Sequence, residues 1–354
     1  MDHADRRRRL AARLPELDAD AFLVTALPNV RYLTGFTGSN GQLVLGRTDG
    51  VFLTDGRYDE QSNHEVPDLP RQIYSSEFVP TFREVCDRLD LRRVAFEAAN
   101  VTVRTYETLR DGLNLVATTD EVERLRVAKD PEEVRRLQVA QSMADEGFQT
   151  VVAKLAEGMT ERDVAFELEA AMRRAGADGP SFDTIVAFGE NAAEPHHAPT
   201  ARLLARGDIV KIDFGALANG YHTDTTRTLA FGDPDPRLVE IHDLVWRAQQ
   251  AGIDAARAGV RAGDLDATVR SVIAEAGHGE HYAHSLGHGV GLQIHEAPFL
   301  RPASDSVVPA GAVVTIEPGV YIPGWGGVRI EDQVEVTADG CRPMSTLDRG
   351  LVIV

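Results

Sequence analysis

Along the first third of the chain, short apolar runs alternate with stretches whose apolar residues recur at helical spacing. Ala21–Leu27, Gly41–Leu45, Val51–Thr54 and Val94–Phe96 predict strands, and Arg6–Leu14, Tyr58–Val66 and Phe78–Leu89 predict helices. Strands interleaved with helices imply an α/β domain, assigned to residues 1–122. No phosphate-binding loop or dinucleotide fingerprint lies within it. The charged segment Glu121–Lys129 ends this pattern, and Asp130-Pro131-Glu132-Glu133 is a helix start. Asp130 suits the N-cap, Pro131 the first turn and Glu133 the reciprocal position of a capping box. Apolar spacing at Val134, Leu137, Ala140 and Ala144 carries that helix to about Glu157 and opens a second domain, residues 123–354.

The second domain repeats itself. The stretch from Glu157 to Val164 aligns with the stretch from Ala258 to Leu265. Gly207–Gly215 aligns with Gly311–Gly319, and Asp224 aligns with Glu331. Each copy reads as helices followed by a β-hairpin, so the domain is two halves related by a pseudo-two-fold. In the first hairpin, alternation puts Ile209, Lys211 and Asp213 on one face. Asn219-Gly220 is a two-residue turn signal, which sets residue 213 opposite 226 and Asp224 on the face of Asp213. The second hairpin, read as strands Val313–Glu317 and Val328–Val336, aims Glu317 and Glu331 in the same way. Its outgoing strand places Arg329 on the face of Glu331. Four converging carboxylates require counter-charge if they are buried, and two divalent cations supply it.

Between the hairpins, His284, His288 and His295 fall within twelve residues beside Gly287, Gly289 and Gly291. One imidazole can complete a metal shell while the others move protons or hold an oxyanion. His196 and His197 sit in a polar loop further upstream. Composition changes this picture little. The chain has 354 residues, with 37 basic and 55 acidic side chains and a net charge of −18, which argues against nucleic acid and against anionic membrane as partners. No apolar core follows Arg6–Arg9, so no secretory signal is predicted. The two cysteines, Cys86 and Cys341, form no framework, and a cytoplasmic location is expected.

These strings carry a family resemblance. Lys211-Ile-Asp213-Phe-Gly215, Thr223-Asp224-Thr-Thr, His284-Ser-Leu-Gly-His288-Gly, Thr315-Ile-Glu317-Pro-Gly and Gly327-Val-Arg-Ile-Glu331-Asp resemble the pita-bread metallopeptidases, in the proline-directed branch of aminopeptidase P and prolidase. Asn29–Gly38 and Thr54–Tyr58 resemble that branch's creatinase-type N-terminal domain. The resemblance implies an α+β chain with a pita-bread catalytic domain behind a smaller α/β domain, and a homodimer. It makes Asp213, Asp224, His288, Glu317 and Glu331 the ligands of two divalent ions, Mn²⁺ in preference to Co²⁺ or Zn²⁺. It makes His196, His284, His295, Glu317 and Arg329 catalytic, with the neighbouring His197 as the rival to His196. The implied activity is hydrolysis of the bond between an N-terminal residue and proline in a proline-containing peptide. No carboxylate clamp is assignable, so an Xaa-Pro aminopeptidase is expected ahead of an Xaa-Pro dipeptidase. A methionine aminopeptidase fits the leading domain and Arg329 less well. A creatinase-like amidinohydrolase and a non-catalytic scaffold both lack ligands that are present here.

Overall fold

The computed structural model describes all 354 residues, which divide into two compact units, Met1–Arg126 and Val127–Val354. In the first unit the strands are β1 (Ala21–Val24), β2 (Gln42–Gly46), β3 (Gly50–Asp55), β4 (Arg71–Tyr74), β5 (Arg93–Glu97) and β6 (Asn114–Thr118). They form one mixed sheet in the order β4-β3-β2-β1-β5-β6. The helices are α1 (His3–Ala11), α2 (Leu27–Thr34), α3 (Asp59–Glu65), α4 (Phe78–Arg88), α5 (Val103–Leu109) and α6 (Glu123–Arg126). β1, β2, β3 and β5 were legible because both their faces are buried and they read as apolar runs. The edge strands β4 and β6 are only partly buried and escaped the pattern. The predicted strand Ala21–Leu27 stops at Val24, because Pro28 opens α2 in its first turn. The arginine run lies in α1, where Arg6 is buried, donates to Tyr32 O at 3.1 Å and lies 4.0 Å over the Tyr32 ring.

The second unit begins with α7 (Pro131–Val152), and Asp130 and Glu133 form the expected capping box. The helix ends at Val152 instead of near Glu157. Gly158 takes a left-handed φ of 87° and donates to Leu204 O, which turns the chain into α8 (Glu161–Arg174). There follow β7 (Gly179–Pro180), β8 (Ile185–Phe188), β9 (Ile209–Phe214), β10 (Ala216–Ala218), β11 (Tyr221–His222) and β12 (Thr225–Ala230). After α9 (Pro236–Ala255) and α10 (Ala262–Glu275) come β13 (Gly287–Gly289), β14 (Glu296–Leu300), β15 (Val313–Ile316), β16 (Gly319–Ile322), β17 (Gly326–Arg329), β18 (Glu331–Val336) and β19 (Cys341–Pro343). α8 and α10 are both 14 residues long and occupy corresponding places in the repeat.

The main sheet runs β14-β13-β15-β18-β12-β9-β8, with β19 paired to β18. Its centre joins the two repeats, because β12 pairs β18 with Thr226 opposite Glu331. Asp213 lies opposite Thr226, as the Asn219-Gly220 turn requires. Both turn residues have positive φ, 52° and 79°, the geometry that suits the twist of a tight hairpin. One expectation needs correction. Val328–Val336 is not a single strand. It breaks at Ile330, so Arg329 ends β17, which pairs β16 in a separate two-stranded ribbon, while Glu331 begins β18 in the main sheet. Two apolar clusters pack the two halves, one around Val245, Val269, Val314 and Val334, the other around Leu168, Val186, Ile212 and Phe214.

Candidate active site

A cleft of about 760 Å³ opens over the join between the repeats, and it brings together every candidate named from the sequence. Asp213 is the next-to-last residue of β9, Asp224 precedes β12, Glu317 follows β15 and Glu331 begins β18. His288 sits in β13, which approaches β15 so closely that a Cβ on Gly287 would stand 2.1 Å from Thr315 O. Only glycine permits that approach, and it delivers the His288 amide to Thr315 Oγ1 at 3.0 Å. The Thr315 hydroxyl donates to Glu317 Oε1 at 3.1 Å, and the Thr226 hydroxyl donates to Glu331 Oε2 at 2.6 Å.

The electrostatics of the cluster point to a cation. Ligand atoms of Asp224, His288 and Glu331, all buried, lie within 4.8 Å of one another. Burial raises Asp224 and Glu331 well above the ordinary carboxylate range. Asp213 and Glu317 add to the shift at Asp224, and Asp224, Glu317 and Asp213 add to it at Glu331. Burial raises Glu317 too, against the pull of His288 and Arg329. His288 Nδ1 is 3.0 Å from Gly289 O, and a carbonyl only accepts, so Nδ1 carries the hydrogen. Nε2 faces Asp224 Oδ2 and Glu317 Oε1, each 3.5 Å away. Asp213 Oδ1 is buried without any partner. Carboxylate oxygens and an imidazole nitrogen crowded together, with one carboxylate oxygen orphaned, are what a hard divalent ion satisfies, so the residues fit the metal that the sequence implies.

Arg329 lies against the cluster. Its Nη2 donates to Asp213 Oδ2 at 2.5 Å, Nε to Thr226 Oγ1 at 2.9 Å, and Nη1 to Tyr321 OH at 2.8 Å and Pro195 O at 3.1 Å. Burial alone would lower its pKa, but Tyr321 and the carboxylates of Asp213, Glu331 and Glu317 more than reverse this. His284 Nδ1 is 2.8 Å from Ser285 O and must donate, which leaves Nε2 to accept the Tyr321 hydroxyl at 2.9 Å. Both ring nitrogens are thus occupied, and burial followed by Arg329 pushes the imidazole down to about 3. His295 is exposed in the cleft, 4.4 Å from the His288 ring centroid and perpendicular to it. Of the doubled histidines, His196 is exposed. His197 is buried between Glu161 Oε2 at 3.0 Å and Glu194 Oε2 at 2.6 Å.

Sequence reasoning missed Tyr321, Thr226 and the apolar wall of Phe182, Ile294 and Phe299. Thr226 was discoverable, since the hairpin register already set it opposite Asp213. Tyr321 lies on the ribbon with Arg329, and no pattern in the chain announces that pairing.

A buried carboxylate–imidazole cluster between two repeated hairpins defines a metal-dependent hydrolase. The chain belongs to metallopeptidase family M24, whose family model matches residues 135–338, and residues 6–128 match the creatinase/prolidase N-terminal domain. It is 34% identical over 341 residues to an Xaa-Pro dipeptidase of Pyrococcus horikoshii, covering 94% of each chain. Among solved structures, an Xaa-Pro dipeptidase from Bacillus anthracis superimposes with a TM-score of 0.97 at 36% identity, covering 99% of this chain and 100% of that one. An X-Pro aminopeptidase from Thermotoga maritima gives 0.92 at 34% identity, covering 98% and 99%. These place the chain in the proline-directed branch, a family of hydrolases that use divalent metal ions. No helix is long and apolar enough to cross a membrane.

Proposed function

We propose that the protein is an Xaa-Pro dipeptidase. The observation that carries this reading is the buried convergence of Asp224, His288 and Glu331 beside Asp213 and Glu317, in a chain whose relatives are mostly described as Xaa-Pro dipeptidases or prolidases. Those relatives outweigh the preference for an aminopeptidase drawn from the sequence. In this reading Asp213, Asp224, His288, Glu317 and Glu331 hold two ions. Four carboxylates and one imidazole without thiolate suit Mn²⁺. When bound, such ions acidify a water and polarise the scissile carbonyl. The chain's own groups do the rest. Thr226 and Thr315 orient the carboxylates of Glu331 and Glu317, and Arg329 fixes Asp213. Glu317 takes a proton as the nucleophile forms. His295 and His196, exposed in the cleft, contact the peptide around the scissile bond, and the proton that Glu317 took passes on to the departing proline nitrogen. His284 acts through the Tyr321 hydroxyl that it holds.

A specific observation favours the second reading, an Xaa-Pro aminopeptidase that accepts longer peptides. Arg329 is the one lysine or arginine lining the cleft, and its donors are committed to Asp213, Thr226, Tyr321 and Pro195. A dipeptide carboxylate would therefore be met by imidazole and backbone. Incubating the Mn²⁺-loaded protein with Ala-Pro and with Ala-Pro-Ala separates the two. Release of alanine from Ala-Pro with little or none from Ala-Pro-Ala is expected, and cleavage of the tripeptide alone overturns the dipeptidase reading.

A further inference from the structure

Lys211 has no place in the chemistry above, yet it is fully buried in β9, two residues before Asp213. An apolar side chain would fill such a core position at lower cost, since a buried amine must be compensated. Its compensation comes from one short segment. The amine donates to Ala192 O at 3.0 Å and to Glu194 O at 2.5 Å, and it lies 5.1 Å from the centroid of the Tyr321 ring. Arg329 Nη1 takes the next carbonyl, Pro195 O, at 3.1 Å. Two basic side chains therefore hold three carbonyls immediately before His196. On the other side, Glu161 holds the segment through the His197 ring at 3.0 Å, the Thr200 amide at 2.8 Å and the Asn191 amide group at 2.9 Å. His196 projects into the cleft between these two anchors. Burial, then Arg329, pushes the Lys211 amine well below its ordinary pKa. An amine donates two hydrogens in either protonation state, so the grip does not depend on its charge.

We propose that Lys211 is a positioning residue for the hydrolysis: it clamps the carbonyls of Ala192 and Glu194 so that His196 is presented to the substrate. This rests on the reading of the cleft as the peptidase site with His196 against the peptide. A core-filling lysine and a positioning lysine behave differently when removed. In Lys211→Met an apolar chain of similar shape replaces the amine, and both carbonyls lose their donor.

The test uses the full chain loaded with Mn²⁺. Lys211→Met is expected to lower kcat/KM on an Xaa-Pro substrate on the order of ten- to a hundred-fold, the effect of misplacing a group by about 1 Å, with unchanged metal content. Lys211→Gln, which keeps an N–H donor, should recover part of that loss. The decisive readout is a double-mutant cycle with His196→Ala. If the lysine acts through His196, the second substitution adds little to the first. Additive losses, or full activity in Lys211→Met, overturn the proposal, and Lys211→Gln carries the cycle should the methionine variant fail to fold. Hydrogen exchange gives a readout independent of activity. Amides of residues 190–199 should exchange faster in the variant while those of β9 and β12 do not, and unchanged exchange in 190–199 overturns the clamp. Failure of the wild-type protein to cleave any Xaa-Pro peptide would instead remove the peptidase reading and leave the exchange result standing.

Discussion

Arg329→Met removes the guanidinium on which the cluster leans. Asp213 and Arg329 are both largely buried, with side chains 11% and 3% exposed. In the variant, Asp213 Oδ2 loses its donor, and Oδ1 already has none. Breaking one side of a buried ion pair costs about 3–5 kcal/mol. For a unit of this size that lowers Tm by roughly 6–20 °C. Both tryptophans, Trp246 and Trp325, lie in the second unit, so their fluorescence follows its unfolding without interference from the first. Melts in EDTA should show the full loss. Melts in Mn²⁺ should show a smaller one, because an ion on Oδ1 gives Asp213 a partner that the arginine no longer provides. A loss below about 1 kcal/mol in EDTA, within the range of an exposed pair, would refute the burial argument. Equal losses with and without Mn²⁺ would show that the ion does not reach Asp213.

Glu331→Ala should lose bound metal and peptidase activity together, while the neighbouring Asp332 keeps its pair with Arg227 at 2.7 Å and the fold persists. Metal analysis after gel filtration checks this, and full metal content in the variant refutes the ligand assignment. His242, held down to about 4 chiefly by burial, makes the protein less stable in acid. Below the ordinary histidine value the unfolded chain binds a proton that the folded one refuses, so stability falls as pH drops from about 6.5 toward 4, by about 2 kcal/mol at pH 5. Urea melts at pH 7.5 and 5 should show this loss in the wild type and much less of it in His242→Leu, and identical pH dependence in both sinks the assignment. Burial pushes the thiols of Cys86 and Cys341 up to about 12 and about 11. Neither should react quickly with a disulfide reagent at pH 8 until denaturant is added, and a fast native thiol would contradict that burial.

The carboxylate cluster was unusually legible because each carboxylate follows from local rules. Strand alternation and the Asn219-Gly220 turn set Asp213 opposite Thr226, and the internal repeat transferred the same logic to Glu317 and Glu331. Asp130, Pro131 and Glu133 marked the start of α7 through capping chemistry that needs no distant partner. The missed elements are those whose residues are half exposed or whose apolar pattern is short. β4, β6 and α5 carry little periodic signal, and α2 was hidden behind the apolar run of β1. The break at Ile330 was invisible for a different reason: alternation continues through it, and only the separate pairings of β17 and β18 divide the strand.

The sequence by itself determined the register of the first hairpin, the repeat, the start of α7 and which carboxylate and imidazole side chains converge, because these depend on residue spacing over a few positions or on one duplicated motif. The tertiary structure decided what each polar group meets. It turned His197 to Glu161 and left His196 in the cleft, tied His284 to Tyr321, committed Arg329 to Asp213 and buried Lys211 under the carbonyls of Ala192 and Glu194. Those partners lie far apart along the chain, and a hydrogen bond between distant residues depends on packing that no local pattern encodes.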